Sequence, residues 1–68
     1  MAPVIDEDVL LERSGVARVL DVSVSTVRRL EAAGILEPTI ALPSGLKLFA
    51  RFDAERIKRA RAIRKAIA

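Results

Sequence analysis

Two adjacent arginines, Arg28 and Arg29, stand one helical turn after Ser25 and one turn before the small Ala32. A guanidinium holds five N–H donors in a fixed fork, so it can grip a phosphate or pair with the two acceptor atoms of a guanine edge. Thr26 adds a hydroxyl beside Ser25, Arg18 lies upstream, and Lys47 and Arg51 flank a turn-rich stretch downstream. These seven residues are the candidate binding set, and their chemistry is that of a surface for a polyanion. Other chemistries lack materials. The chain has no cysteine and no histidine, which removes disulfides, thiolate or imidazole metal sites, and Cys- or His-based catalysis. Carboxylates and lysines are present, but no motif gathers them into a site, so neither an enzyme nor a cofactor is expected.

The charge is distributed unevenly. Residues 1–12 carry Asp6, Glu7, Asp8 and Glu12 with no basic residue. Residues 13–68 carry all 12 Lys and Arg against five acids, a net +7 behind an overall +3. A compact body with that excess attracts a polyanion and gains affinity by releasing its counterions. Basic residues also solvate many ordinary surfaces, so charge alone leaves both readings open. No apolar run is long enough to span a bilayer, and an acidic start is unlike a signal peptide. The expected location is cytoplasmic, at the nucleoid where DNA is the partner, with no membrane role.

The elements that must position these groups are marked at their ends. Ser23 is a good N-cap and Gly34 a good C′ residue, so a helix is expected between them, with Val24, Val27 and Leu30 on its apolar face. A first helix is expected from about Arg13 to Leu20, with Val16, Ala17, Val19 and Leu20 facing inward. Asp21 and Val22 join the two in a tight turn, which is the helix-turn-helix arrangement. Glu37-Pro38 ends the helical region. Thr39–Leu42 and Leu46–Phe49 then read as two strands about the Pro43-Ser44-Gly45 turn, a hairpin or wing. Alternation places Leu46 and Leu48 on one face, with Lys47 and Phe49 on the other. Asp53 is the expected N-cap of a last helix, Ala54 to about Ile67, with a narrow stripe of Ile57, Ala60, Ile63 or Arg64, and Ile67. The fold class expected is mainly α, a winged helix-turn-helix over residues 10–68, preceded by an acidic flexible arm, residues 1–9. Val9, Leu10 and Leu11 are apolar enough to tuck onto the core.

In this arrangement the sequence resembles the MerR-like winged-helix superfamily, which includes the small phage and plasmid excisionases, or recombination directionality factors. The family pattern appears as Val22-Ser23, Thr26-Val27-Arg28, Glu31, Gly34 and Leu36, with Gly45-Leu46-Lys47-Leu48-Phe49 and Asp53 following the family's wing. The likeness covers about residues 10–63. Asp21 stands where the family usually has glycine. Arg29 and Leu30 stand where effector-binding regulators carry two tyrosines, and a last helix of about fourteen residues is short for their antiparallel coiled coil. The resemblance therefore implies a minimal relative, most like an excisionase. Such proteins bind adjacent sites on double-stranded DNA as several monomers, bend it, and so direct a site-specific recombinase. The resemblance equally admits a small transcription regulator acting with RNA polymerase. A different class of reading is a protein-interaction adaptor that keeps the winged-helix fold without DNA.

The resemblance places Thr26 and Arg28 near the DNA backbone and Ser25 and Arg29 toward base edges. Each residue also has an ordinary role. Arg28 or Arg29 can pair with Glu31 or Glu37 on a solvated helix, and Thr26 can complete the cap begun by Ser23. Lys47 and Arg51 can reach the adjacent minor groove or its phosphates, while exposed hairpin lysines also discourage edge pairing. Arg18 is a phosphate candidate on the outer face of the first helix. The basic last helix docks its stripe on the core, adds phosphate contacts, or meets a neighbouring copy on DNA.

Overall fold

The computed structural model describes residues 9–67, with side chains as far as Arg64. The chain runs β1 (Leu10–Leu11), α1 (Arg13–Leu20), α2 (Val24–Ala32), β2 (Ile40–Ala41), β3 (Lys47–Ala50) and α3 (Arg51–Ile67). Three helices and a small antiparallel sheet make a mainly α fold, as expected.

The turn between α1 and α2 is built by backbone chemistry. Asp21 takes the left-handed conformation, φ 56°, ψ 49°. Its N–H donates to Arg18 O at 3.3 Å and the Val22 N–H to Ala17 O at 3.0 Å. This paired pattern closes the helix end and satisfies carbonyls that otherwise have no partner. Aspartate is among the few L-residues that enter this region at modest cost, which is why it can replace the glycine. Val22 then packs half-buried against the core. The end of α2 repeats the device. Gly34 lies at φ 75°, its N–H donates to Glu31 O at 3.0 Å, and the Ile35 N–H donates to Leu30 O at 3.0 Å.

The hairpin pairs Ile40 with Leu48 and Ala41 with Lys47. At its turn the Gly45 N–H donates to Leu42 O at 2.9 Å, and the Leu42 N–H to Leu46 O at 2.8 Å. Pro43 presets the second turn position, and Gly45 at φ 93° supplies the left-handed residue that lets the strands close. A third strand adds to the expected hairpin. Leu10 and Leu11 do not merely tuck in: they pair with Ala50 and Phe49, so β3 is the central strand of the order β1-β3-β2. Residues 1–8 of the expected arm lie outside the described residues, and Val9 at its end accepts the Arg51 N–H at 2.8 Å.

The core joins Leu11, Val16, Ala17, Leu20, Val27, Leu36, Phe49, Ala54 and Ile57. Two expectations need correction here. Val24 is not part of the buried stripe of α2: it opens the first turn, is 37% exposed, and lines an open groove with Gly45 and Leu46 of the hairpin turn. Phe49 is fully buried and Leu48 is buried as well, while Lys47 is half-buried. β3 has a strand paired along each edge, and α1 and α3 pack against it. Asp53 is not the cap of the last helix. The helix starts three residues earlier than expected, at Arg51 directly from β3, and Asp53 sits inside its first turn, where its charge still suits the helix N-terminus.

The stripe of α3 docks only in part. Ala54 and Ile57 are buried, but Ala60 is exposed and Ile63 is 60% exposed. Ile67's side chain lies outside the described residues. After Ile57 the helix therefore runs on beyond the core.

The two phenylalanines sit in opposite environments, and this gives a direct test. Phe49→Ala empties the centre of the core and is expected to cost about 3–5 kcal/mol. That is comparable with the whole stability of a domain this small, so its thermal transition is lost. Phe52, at 69% exposed, is expected to tolerate alanine within about 0.5 kcal/mol. Circular dichroism melts of both variants make the comparison.

Candidate nucleic-acid interface

The geometry begins at the start of α2. Ser23 caps the helix: its Oγ accepts the Thr26 N–H at 3.2 Å and lies 3.1 Å from Thr26 Oγ1. Thr26 thus takes part in the cap, as its position three residues later suggests. The cap leaves Ser25, Arg28 and Arg29 on the outer face, all exposed.

Glu31 settles which cation it serves. It does not pair with Arg28 or Arg29. Its carboxylate is held by Arg13 across the α1–α2 interface, in a two-pronged contact with Arg13 Nε on Oε1 and Arg13 Nη2 on Oε2, the latter at 3.1 Å. The side chain of Glu31 is only 14% exposed. The Arg13 hydrogen bonds pull its ionisation below the ordinary carboxylate range, against the opposing effect of burial, and the charges of Arg13, Lys47 and Arg28 add to the pull. The same contact holds Arg13 protonated more firmly. Arg28 and Arg29 make no hydrogen bond or ion pair among the described residues.

Arg28 and Lys47 come together although they lie on a helix and a hairpin 19 positions apart. Both line one open groove of about 260 Å³, with Val24 at the start of α2, Gly45 and Leu46 from the hairpin turn, and Glu12, Arg13 and Ser14 from the start of α1. Arg29 lies on the exposed face of α2 outside this groove. No family model, curated protein or solved structure matches this chain.

The remaining candidates lie elsewhere. Arg18 and Arg51 line a second groove of about 300 Å³ between β1, α1 and the start of α3. Arg18 Nε approaches Ser14 O at 3.5 Å, on the outer face of α1. Arg51 stands at the opposite end of β3 from the hairpin turn, roughly 13 Å away at about 3.3 Å per strand residue, and its Nε pairs with Glu55 at 3.3 Å. The structure thus gathers Arg28 and Lys47, keeps Ser25 and Arg29 on the same helix, and sets Arg18 and Arg51 apart.

Sequence reasoning misses two participants, Arg13 and Val24. Arg13 and Glu31 are 18 residues apart, so no helical spacing rule links them. Periodicity groups Val24 with the core, but it carries no information about where a neighbouring hairpin stops covering a helix. Among the described residues no group of carboxylates is placed to hold a metal ion, and no helix is long and apolar enough to cross a membrane.

The Arg13–Glu31 contact makes stability depend on pH with a fixed sign. A carboxylate whose ionisation is depressed on folding adds stability above its unfolded value, and that stability disappears as pH falls through its folded value. The wild type is therefore expected to lose stability below about pH 4.3. Glu31→Gln is expected to lower stability near neutrality by about 1–3 kcal/mol and to flatten that acid slope. Urea midpoints at pH 7 and pH 3.5 check both effects.

Proposed function

We propose that the chain is a winged helix-turn-helix DNA-binding module, with α2 as the recognition helix and the β2–β3 hairpin as the wing. One observation carries the reading. Arg28 on the helix and Lys47 beside the hairpin turn share an open groove, and the nearby half-buried carboxylate of Glu31 is already engaged by Arg13. Two cations without an ion-pair partner among the described residues, set on two elements at one edge, suit a ligand whose charges repeat along a rail. Double-stranded DNA is such a ligand, with a negative charge about every 1.7 Å of axis.

In this reading α2 enters the major groove by its first two turns. Ser25 and Arg29 face base edges, where a bidentate arginine is worth roughly 1–3 kcal/mol of discrimination. Thr26, Arg28 and Lys47 meet phosphates, which set orientation and register. Arg18 and Arg51 lie outside the central footprint and add at most flanking phosphate contacts. The resemblance in the recognition helix and wing favours a MerR-like, excisionase-type architectural factor. Several copies on adjacent sites would bend the DNA and guide a recombinase. One module makes a small interface, so affinity for a single site is modest and repeated sites compensate.

The test is a mobility-shift titration on a random-sequence duplex across a salt series. Arg28→Ala/Lys47→Ala leaves two phosphates without their cations. The slope of log K against log salt is expected to move toward zero by about 2, close to 0.9 for each phosphate that is no longer neutralised. Binding that vanishes as salt rises, and a shallower slope in the variant, support the reading. Equal affinity and slope in both proteins, or no binding at low salt, sink it and favour a protein-interaction adaptor.

A further inference from the structure

The hairpin tip is an uncharged stretch of a charged chain. Residues 38–46 hold no Asp, Glu, Lys or Arg, although these make up 31% of the sequence, and their polar side chains are Thr39 and Ser44. Ile40 on the edge strand β2, and Leu42 and Leu46 on either side of the turn, are exposed. Edge strands commonly carry charge that discourages unwanted pairing, and this one carries none. The tip is also stiff. Pro43 fixes one backbone angle, and the Leu42 N–H to Leu46 O and Gly45 N–H to Leu42 O bonds, at 2.8 and 2.9 Å, close the turn.

Where these apolar side chains point is set by the sheet. Ala41 is the cross-strand partner of Lys47, so the two share a face, and alternation sends Ile40 and Leu42 to the other. Lys47 lines the groove that holds Arg28, Leu46 lies on the same groove at the tip, and Ile40 and Leu42 do not line it. The hairpin therefore offers a cation on the side of α2 and apolar bulk on the side turned away. Glu12, a carboxylate on that groove, belongs to the start of α1 and not to the tip.

Resting on the DNA reading above, we infer that Leu42 and Leu46 form an apolar wedge that enters the minor groove beside the recognition helix, partly unstacks a base step and kinks the duplex. The phosphate backbone is the wall between the two grooves of DNA. With α2 in the major groove and Arg28 and Lys47 on the phosphates of that wall, the side of the hairpin turned away from α2 faces the minor groove. That groove is about 6 Å wide, too narrow for a helix. A tip whose only polar side chain is Ser44 has little to hydrogen-bond to base edges. It offers rigid apolar bulk, which proteins that bend DNA insert between base steps. A protein partner could cover the leucines alone, but Arg28 and Lys47 beside them ask for negative charge at the same time. A duplex supplies both, a charged rail and an apolar stack behind it.

The test separates binding from bending. The full chain is titrated into a short duplex carrying TA steps, which kink most easily, with a fluorescence donor and acceptor at its two ends. Energy transfer at saturation reads the bend, and a salt series reads the phosphate contacts. The wild type is expected to raise the transfer through a kink of about 20–90°. Leu42→Ser/Leu46→Ser, with folding checked by circular dichroism, is expected to lose most of that rise yet keep the wild-type salt slope, because Arg28 and Lys47 still neutralise their phosphates. Leu42→Met/Leu46→Met keeps both, since an apolar wedge remains. Binding by the wild type without a bend, or an equal bend by the serine variant, overturns the wedge and leaves the DNA reading standing. No salt-sensitive binding by any of the three overturns the DNA reading and the wedge with it. Sedimentation velocity without DNA covers the remaining occupant: a wild type that self-associates through these leucines, and a serine variant that does not, would assign the face to a second copy and overturn the inference.

Discussion

The whole molecule hangs on the burial of Phe49 in the central strand. The chain has no Trp or Tyr and only two phenylalanines, so one ring must organise a core otherwise made of Leu, Ile, Val and Ala. Phe49 is fully buried, pairs across to Leu11 on β1, and belongs to one cluster with residues of α1, α2 and α3. A 68-residue chain has little area to bury, and the three helices with β1 and β3 all contribute to the same centre. This explains why β1 is recruited to β3 at all. Two residues of ladder exclude water from one side of a strand that would otherwise be an edge.

That economy decides what is left for function. The small core fixes α1 against α2, and the Arg13–Glu31 contact locks the same interface from outside. Because Arg13 takes the carboxylate, the cations on the outer face of α2 are left without Glu31 as a partner. The hairpin grows from the same central strand, so Lys47 is set beside Arg28 by the sheet that holds Phe49. Packing and electrostatics thus act in sequence: the core places two elements, the ion pair engages Glu31, and Arg28 and Lys47 meet at one edge that also carries Glu12. The overhang of α3 has the same origin, since a core this size is covered by the helix's first two turns.

Much of this is legible from residue types whose conformational demands are local. Ser23 as a cap, Gly34 and Gly45 at positive φ, and Pro43 in the hairpin turn all mark ends, and the bounds of α1 and α2 follow from them. Asp21 obeys the same logic, as a side chain suited to the left-handed turn that glycine usually fills. What stays hidden depends on distant partners. The pairing of Leu10 and Leu11 with β3 has too short a pattern to be read as a strand. The start of α3 at Arg51 is set by continuity with β3, which makes Asp53 look like a cap three residues late. The exposure of Val24 and Ile63 follows from where the hairpin and the core end. The candidate cations are visible as residues, but their division into a shared groove and a separate pair is a property of the fold alone.

Whether α2 and the hairpin turn act as one DNA-binding edge is best tested by a ¹H–¹⁵N NMR titration of the full chain with a short duplex at low salt. The largest shift changes are expected to fall together on Ser25, Arg28, Arg29 and the Gly45–Lys47 turn, with the far end of α3 nearly silent. Changes concentrated on Lys58–Arg64 with α2 unmoved, or none anywhere, would contradict a shared edge.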